Sequence, residues 1–192
     1  MTLTIPYDAH SWFAVQAWAG REHLSSAGLR MRGYEVFLPT YRVNRRWSDR
    51  MKTTEQALFP GYLFCRVTGD EATSIITAPA VICIVGDGVK PLPVPEQEVA
   101  SIRRIVDSHL ALEPCPIPEV GQRVRVEVGP LAGVEGVVQR VKNKHRLVAS
   151  IELLQRAVAV EIDPAWVSIT NDRLFSAIRH RDSARRSHAR SR

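Results

Sequence analysis

The chain has 192 residues, 45% hydrophobic and 24% charged, which bounds it to one large or two small globular domains. No apolar run approaches the roughly 18 residues of a membrane helix, the opening MTLTIPYDAHSW has no signal-peptide pattern, and Cys65, Cys83 and Cys115 lack C-x-x-C spacing, so reduced cytoplasmic thiols without metal are expected. Residues 173–192 hold seven arginines against Asp182 alone, a surplus equal to the whole net charge of +6, so the body is neutral and only the tail invites a polyanion.

From the start, WFAVQAW (12–18) alternates as a strand, and Leu24, Ala27, Gly28 and Met31 give residues 21–32 the spacing of a short amphipathic helix. Because Trp12 and Phe13 are adjacent, the alternation predicts that one of them faces out or lies at an edge. YEVFL (34–38) is a second strand. YRVNRRW (41–47), the polar Ser48-Asp49 and a return through 51–58 read as a hairpin. Its strands and turn carry Arg42, Arg45, Arg46, Arg50 and Lys52 around Trp47, with Asp49 the one acid in that run. Such a tip can hold phosphates by charge and stack an unpaired base on the indole.

YLFCRV (62–67) follows as a strand, Asp70 as the cap of a short helix through Ile76, and VICIV (81–85) as a buried strand turned by Gly86-Asp87-Gly88. Val99, Ile102, Ile105, Val106 and Leu110 form the apolar stripe of a second major helix over 96–112. This order predicts an N-terminal α/β sandwich over 11–112, mainly antiparallel and related to the ferredoxin-like group. EPCPIPE (113–119) has proline at every second position, the pattern of a semi-rigid spacer of roughly 20 Å. Residues 120–170 then supply four or five short strands, enough for a small β-barrel, so the fold class is α+β. The tail 173–192 has too little apolar surface to fold by itself.

In VGQRVRVEVGPLAGVEGV (120–137), Val124, Val126 and Val128 alternate with charged residues before Gly129-Pro130 stops the strand. Gly121, Gly133 and Gly136 permit close backbone approach at a tight corner. This strand, Gly-Pro turn and valine strand resemble the KOW motif of transcription factors and ribosomal proteins. Val134, Val137, Val138 and Val141, and Leu147, Ile151, Leu154 and Val158, also have helical spacing, but valine and Gly136 favour the strand.

Together with KOW, the segments SWFAVQAWAGRE, ALFPGYLFCRV (57–67) and PLPVPEQEVASI (91–102) resemble the NusG family of transcription elongation factors across residues 11–170. That resemblance implies non-enzymatic, cofactor-free binding to the clamp helices of RNA polymerase. Trp12, Phe59, Pro60, Gly61 and Tyr62 correspond to the docking depression, and the basic hairpin to a surface near upstream or non-template DNA. Where the family carries a Phe-Gly-Arg turn for ribosomal protein NusE or Rho, this chain reads Leu154-Gln155-Arg156. Gln does not reach positive φ as cheaply as Gly, which puts those partners in doubt. A monomer is implied, and a specialised RfaH-like paralog is one form of the resemblance. The alternative is a ribosome-associated or RNA-binding KOW protein, which leaves FPGY unexplained. No G-x-S-x-G, phosphate-cradling loop or metal pair points to an enzyme.

Overall fold

The computed structural model describes residues 11–47, 50–67, 72–118, 121–141 and 144–169. The expected turn at Ser48-Asp49, the cap at Asp70 and the basic tail lie outside them.

In chain order the N-terminal part runs β1 (Ser11–Ala17), α1 (Glu22–Met31), β2 (Glu35–Phe37), β3 (Thr40–Trp47), β4 (Arg50–Ala57) and β5 (Tyr62–Val67), then α2 (Ala72–Ile76), β6 (Val81–Ile84), β7 (Pro93–Val94) and α3 (Glu96–Asp107). The main sheet has the order β2-β5-β1-β6, with β7 pairing beside β1. All its pairings are antiparallel. The hairpin β3–β4 is a sheet of its own.

Strand alternation divides the core in two. Phe13, Val15 and Ala17 pack with Leu63, Cys65 and Val67 beneath Leu29 of α1 and Ile75 of α2. On the other face Trp12, Ala14 and Phe64 meet Val94 and the Val99, Ile102 and Ile105 stripe of α3. Neither Trp12 (2% exposed) nor Phe13 (1%) faces out, contrary to the alternation argument, because both faces of the sheet are covered. Strand β6 is an edge strand and only half-buried, with Ile82 44% exposed, where VICIV suggested full burial. Helix α3 stops at Asp107, short of residue 112. The Ser108 hydroxyl donates to the Ile105 carbonyl (2.7 Å) and accepts from the Leu110 amide (3.3 Å), and His109 turns to φ 56°. A serine side chain that satisfies the backbone locally competes with the next helical turn.

The C-terminal part contains β8 (Leu112–Cys115), β9 (Gln122–Val126), β10 (Glu135–Val141), β11 (Lys144–Ile151), β12 (Arg156–Ile162) and β13 (Val167–Ile169). They form one antiparallel sheet in the order β13-β9-β10-β11-β12-β8, the small β-rich module expected. Val124, Val126, Leu131, Leu147, Ile151, Val158 and Val160 are buried in its core. Of the residues with helical spacing, Val137, Val138 and Val141 lie in β10, Leu147 and Ile151 in β11 and Val158 in β12, while Val134 just precedes β10 and Leu154 lies in the short 3-10 turn Glu152–Leu154.

Two local readings change here. The proline-rich stretch is extended, but over Leu112–Cys115 it is paired to β12 rather than a free spacer. Proline survives there because β8 is an edge, where a missing N–H can face away from the ladder. Strand β9 ends at Val126, leaving Val128 52% exposed although it continues the alternation. Gly129 and Gly133 have φ +84° and +82°; Gly121 lies against Val137 and Gly136 against the Val148 carbonyl, whereas Gly133 faces the Arg104 guanidinium rather than a backbone.

The two parts are not separate. Arg104 of α3 donates to the Ala132 carbonyl (2.6 Å), and the Glu98 carboxylate of α3 accepts the Glu152 amide (3.2 Å). Apolar side chains of both parts belong to one continuous cluster, with α3 between the N-terminal sheet and β11.

A Cβ on Gly136 would stand 2.5 Å from the Val148 carbonyl oxygen of β11, so the adjacent strands would have to part. Gly136→Ala is expected to lower stability by about 1–3 kcal/mol, as overpacked sites do, measured by urea denaturation of the full chain.

Candidate functional site

The segment Leu58-Phe59-Pro60-Gly61-Tyr62 forms a tight turn at the head of β5. The Tyr62 amide donates to the Phe59 carbonyl (2.9 Å) and Gly61 stands at φ +82°. Proline second and a positive-φ glycine third are what a type II turn requires. Its far side is tied down twice. The Ala17 amide donates to the Gly61 carbonyl (2.9 Å), and the Gly61 amide donates to the Glu22 carboxylate (2.7 Å). Glu22 also accepts from Gly20 (3.0 Å) and is 4% exposed. Burial pulls its pKa upward, but the amides of Gly61, of Glu22 itself and of Gly20 outweigh that and hold it below the ordinary 4.5.

The turn delivers its aromatic rings to the α3 side of the sheet. Phe59, 1% exposed, meets Phe64 edge to face at 6.0 Å, and Phe64 stacks on Phe37 at 6.1 Å. Trp12 lies farther along β1, under the guanidinium groups of Arg103 (5.3 Å) and Arg66 (5.7 Å). Arg66 is held by Glu35 and Glu96, at 3.4 and 3.2 Å. Pro60 is exposed and Tyr62 half-buried.

What covers Tyr62 comes from the other domain. The Arg156 guanidinium sits 5.2 Å from its ring centre, within cation–π range. Arg156 belongs to the turn that departs from the family pattern. Its neighbour Leu154 packs against the shared core, while Gln155 is exposed. Gln155 adopts φ 53°, ψ 40°, the left-handed conformation expected to be difficult for it. Its side-chain amide donates to the Glu152 carbonyl at 2.8 Å, which offsets part of that strain. The turn therefore keeps the backbone shape a glycine would give.

The basic hairpin is a second element, whose base (Thr40 paired with Ala57) leads directly into the turn. Its register pairs Arg45 with Lys52, Arg46 with Met51 and Trp47 with Arg50, so these positions are cross-strand neighbours. Arg42 is exposed; the side chains of residues 44–52 lie outside the described part. Among the described residues no group of three His, Cys, Asp or Glu side chains could hold a metal. Cys65, Cys83 and Cys115 form no disulfide with one another.

The sequence did not signal Glu22, Glu98, Arg103 or Arg104. Each is a charged residue on a helix that by pattern alone belongs to a solvated face.

A family model described as transcription termination factor nusG matches residues 10–103. The chain is 31% identical over 166 residues to the transcription termination/antitermination protein NusG of Vibrio vulnificus, covering 79% of this chain and 91% of that protein. The chain belongs to the NusG family. NusG of Escherichia coli K12 is 30% identical over 166 residues, covering 79% of this chain and 92% of that protein. In fold it resembles the structure reporting domain interaction in Thermotoga maritima NusG, with TM-score 0.51 and 21% identity, across 84% of this chain and 98% of that one. A NusG-family chain is a transcription factor, and membership accounts for residues 10–103, which the ribosome-associated alternative leaves unexplained.

The Glu22 contacts generate a prediction. Glu22→Gln keeps the shape but replaces a charged acceptor, and is expected to cost about 1–2 kcal/mol at pH 7. A depressed carboxylate pKa contributes stability above 4.5 that is lost as pH falls through the folded value. Thermal denaturation curves of wild type and variant should therefore differ at neutral pH and converge in acid.

Proposed function

We propose that this chain is a non-enzymatic elongation factor of the cytoplasm that binds RNA polymerase through the face presented by Phe59, Pro60, Gly61 and Tyr62. Clamp helices are the partner implied by the motif match. The observation that carries this reading is the rigid FPGY turn, which holds aromatic rings on a face apolar enough for the chain's own C-terminal module to cover it. Aromatic anchors dominate interfaces because each removes a large apolar area from water. Trp12 acts from below, stiffening the face through Arg103 and Arg66.

Covering has a consequence for both partners. Leu154 and Arg156, the counterparts of the NusE- or Rho-binding turn, meet the same interface as Tyr62. Polymerase on one side, or a second protein on the other, would bind once the domains part. The hairpin residues Arg42, Arg45, Arg46, Trp47, Arg50 and Lys52 would then lie along upstream or non-template DNA, held by phosphate contacts.

Two experiments test the reading. Phe59→Ala is a poor probe, because emptying so buried a ring costs about 3–5 kcal/mol of fold stability. Tyr62 is half-buried, and Tyr62→Ala is expected to leave the chain folded and lower polymerase affinity about thirtyfold, the loss of about 2 kcal/mol typical of an anchor. Wild-type affinity in the folded variant would remove Tyr62 from the interface. Neutralising Arg45, Arg46 and Arg50 together is expected to reduce the salt slope of binding to a transcription scaffold by about two to three, one counterion per lost phosphate contact. An unchanged slope would mark the hairpin as a solvated face.

A further inference from the structure

The seam between the domains contains a carboxyl group that the polymerase reading does not use. A cleft of about 240 Å³ runs between the first turns of α3 and the C-terminal module. Pro95, Gln97, Glu98 and Ser101 line one wall; Arg123, Glu135, Ser150 and Glu152 are on the other. Glu98 crosses it, its Oε2 accepting the backbone N–H of Glu152 at 3.2 Å.

We propose that Glu98 is a proton-operated latch between the two domains: taking up one proton holds the C-terminal module over the Phe59–Tyr62 face, and losing it favours release.

The charges around Glu98 support this assignment. Across the cleft stand the carboxylates of Glu152 and Glu135 and the guanidinium of Arg123. The cation is already engaged, since Arg123 lies 3.9 Å from the Glu152 carboxylate. Glu135 is matched by Arg125 at 3.8 Å. On α3 itself Glu96 is paired with Arg66 (3.2 Å), and Arg104, one and a half turns on, is committed to the Ala132 carbonyl (2.6 Å). No ion pair to Glu98 is present among the described residues. Its one hydrogen-bond partner across the seam is a neutral amide.

Closure therefore takes a carboxylate out of water and sets it near a second acid. Burial first, and then Glu152, push the Glu98 carboxyl up to about 7, against the pull of the Glu152 amide. With the domains apart, Glu98 lies in the first turn of a solvated helix, where the helix dipole favours the ionised form and the ordinary 4.5 is an upper guide.

The sign follows from linkage. The closed form binds the proton more tightly, so closure is favoured at low pH and weakens as pH rises from 4.5 through about 7. Above that the effect is complete. Between pH 6 and pH 8 the closed-to-open ratio should fall about tenfold, the response of a single proton. A protonated Glu98 also removes its repulsion of the Glu152 carboxylate while leaving an oxygen free to accept the amide.

The latch rests on the proposed function only for its consequence at polymerase, so the experiment reads closure without polymerase. The full-length chain carries a donor and an acceptor dye on exposed positions of the two domains, and energy transfer is followed from pH 6 to pH 8. Wild type should open with rising pH, by about tenfold in the closed-to-open ratio. Glu98→Gln, the neutral isostere, should stay closed and lose the response. Persistence of the full pH response in Glu98→Gln would overturn the latch, as would a wild type whose transfer does not change. Dispersed methyl resonances of Leu29 and Ile75, buried in the N-terminal core away from the seam, confirm in the same samples that both proteins remain folded. Polymerase affinity of Tyr62→Ala fails or succeeds independently of this readout, which keeps the two readings distinguishable.

Discussion

Helix α3 is packed on two sides. Its Val99, Ile102 and Ile105 are buried with Trp12, Ala14 and Phe64 of the sheet, and the same cluster continues into Leu131, Leu147 and Ile151 of the C-terminal module. Burying an aliphatic side chain of that size stabilises by about 1.5–3 kcal/mol, so this helix is a major source of cohesion for both domains. Polar contacts add register rather than bulk energy. Arg104 to Ala132 and Glu98 to Glu152 fix where along the helix the module sits. Once α3 is placed, the FPGY turn and the Leu154-Gln155-Arg156 turn are brought face to face.

That placement ties stability to function. A surface that binds a protein partner, as proposed for the FPGY turn, has to be apolar, yet a large exposed apolar patch invites association. Here Phe59 and Tyr62 are shielded by the chain itself, with Arg156 capping the Tyr62 ring. The cap is suited to reversal. A guanidinium over a ring is worth about 0.5–1 kcal/mol at an exposed site, small against the anchor energy of a protein partner. Where the resemblance implies Phe-Gly, this chain has Leu154-Gln155, and Gln155 holds the left-handed conformation with its side-chain amide bonded to the Glu152 carbonyl.

Local periodicity made much of the fold legible. Strand β1 and the β3–β4 hairpin follow from alternation and turn chemistry, and helix α1 forms where helical spacing places it, but its expected apolar stripe does not face the core: Leu24, Ala27 and Met31 are exposed, and Glu22, Ser25, Ser26 and Leu29 form the buried face. The misses share a cause, which is that pairing and cover are decided by distant residues. EPCPIPE has the composition of a spacer, and only the presence of β12 beside it makes Leu112–Cys115 a strand. Val128 continues a perfect alternation, but its strand has already ended. Trp12 and Phe13 seemed to compete for one core because nothing local announces that two helices cover one face and a third the other. Within the site, the FPGY residues were legible as a motif. Glu22 and Glu98 were not, because a glutamate in the first turn of a helix normally marks a solvated start.

Contact between the C-terminal module and the FPGY face in solution is the feature on which the placement of α3, the cap on Tyr62 and the latch all depend. The most direct measurement is a nuclear Overhauser spectrum of the full-length chain, at slightly acidic pH, searched for cross-peaks between the Tyr62 ring and the Arg156 side-chain methylenes. Their presence, with strand-type shifts through residues 144–151 and 156–162, is the result the structure predicts. Strand shifts without any cross-peak between Tyr62 and the C-terminal module would contradict it, leaving two independent domains joined by a linker.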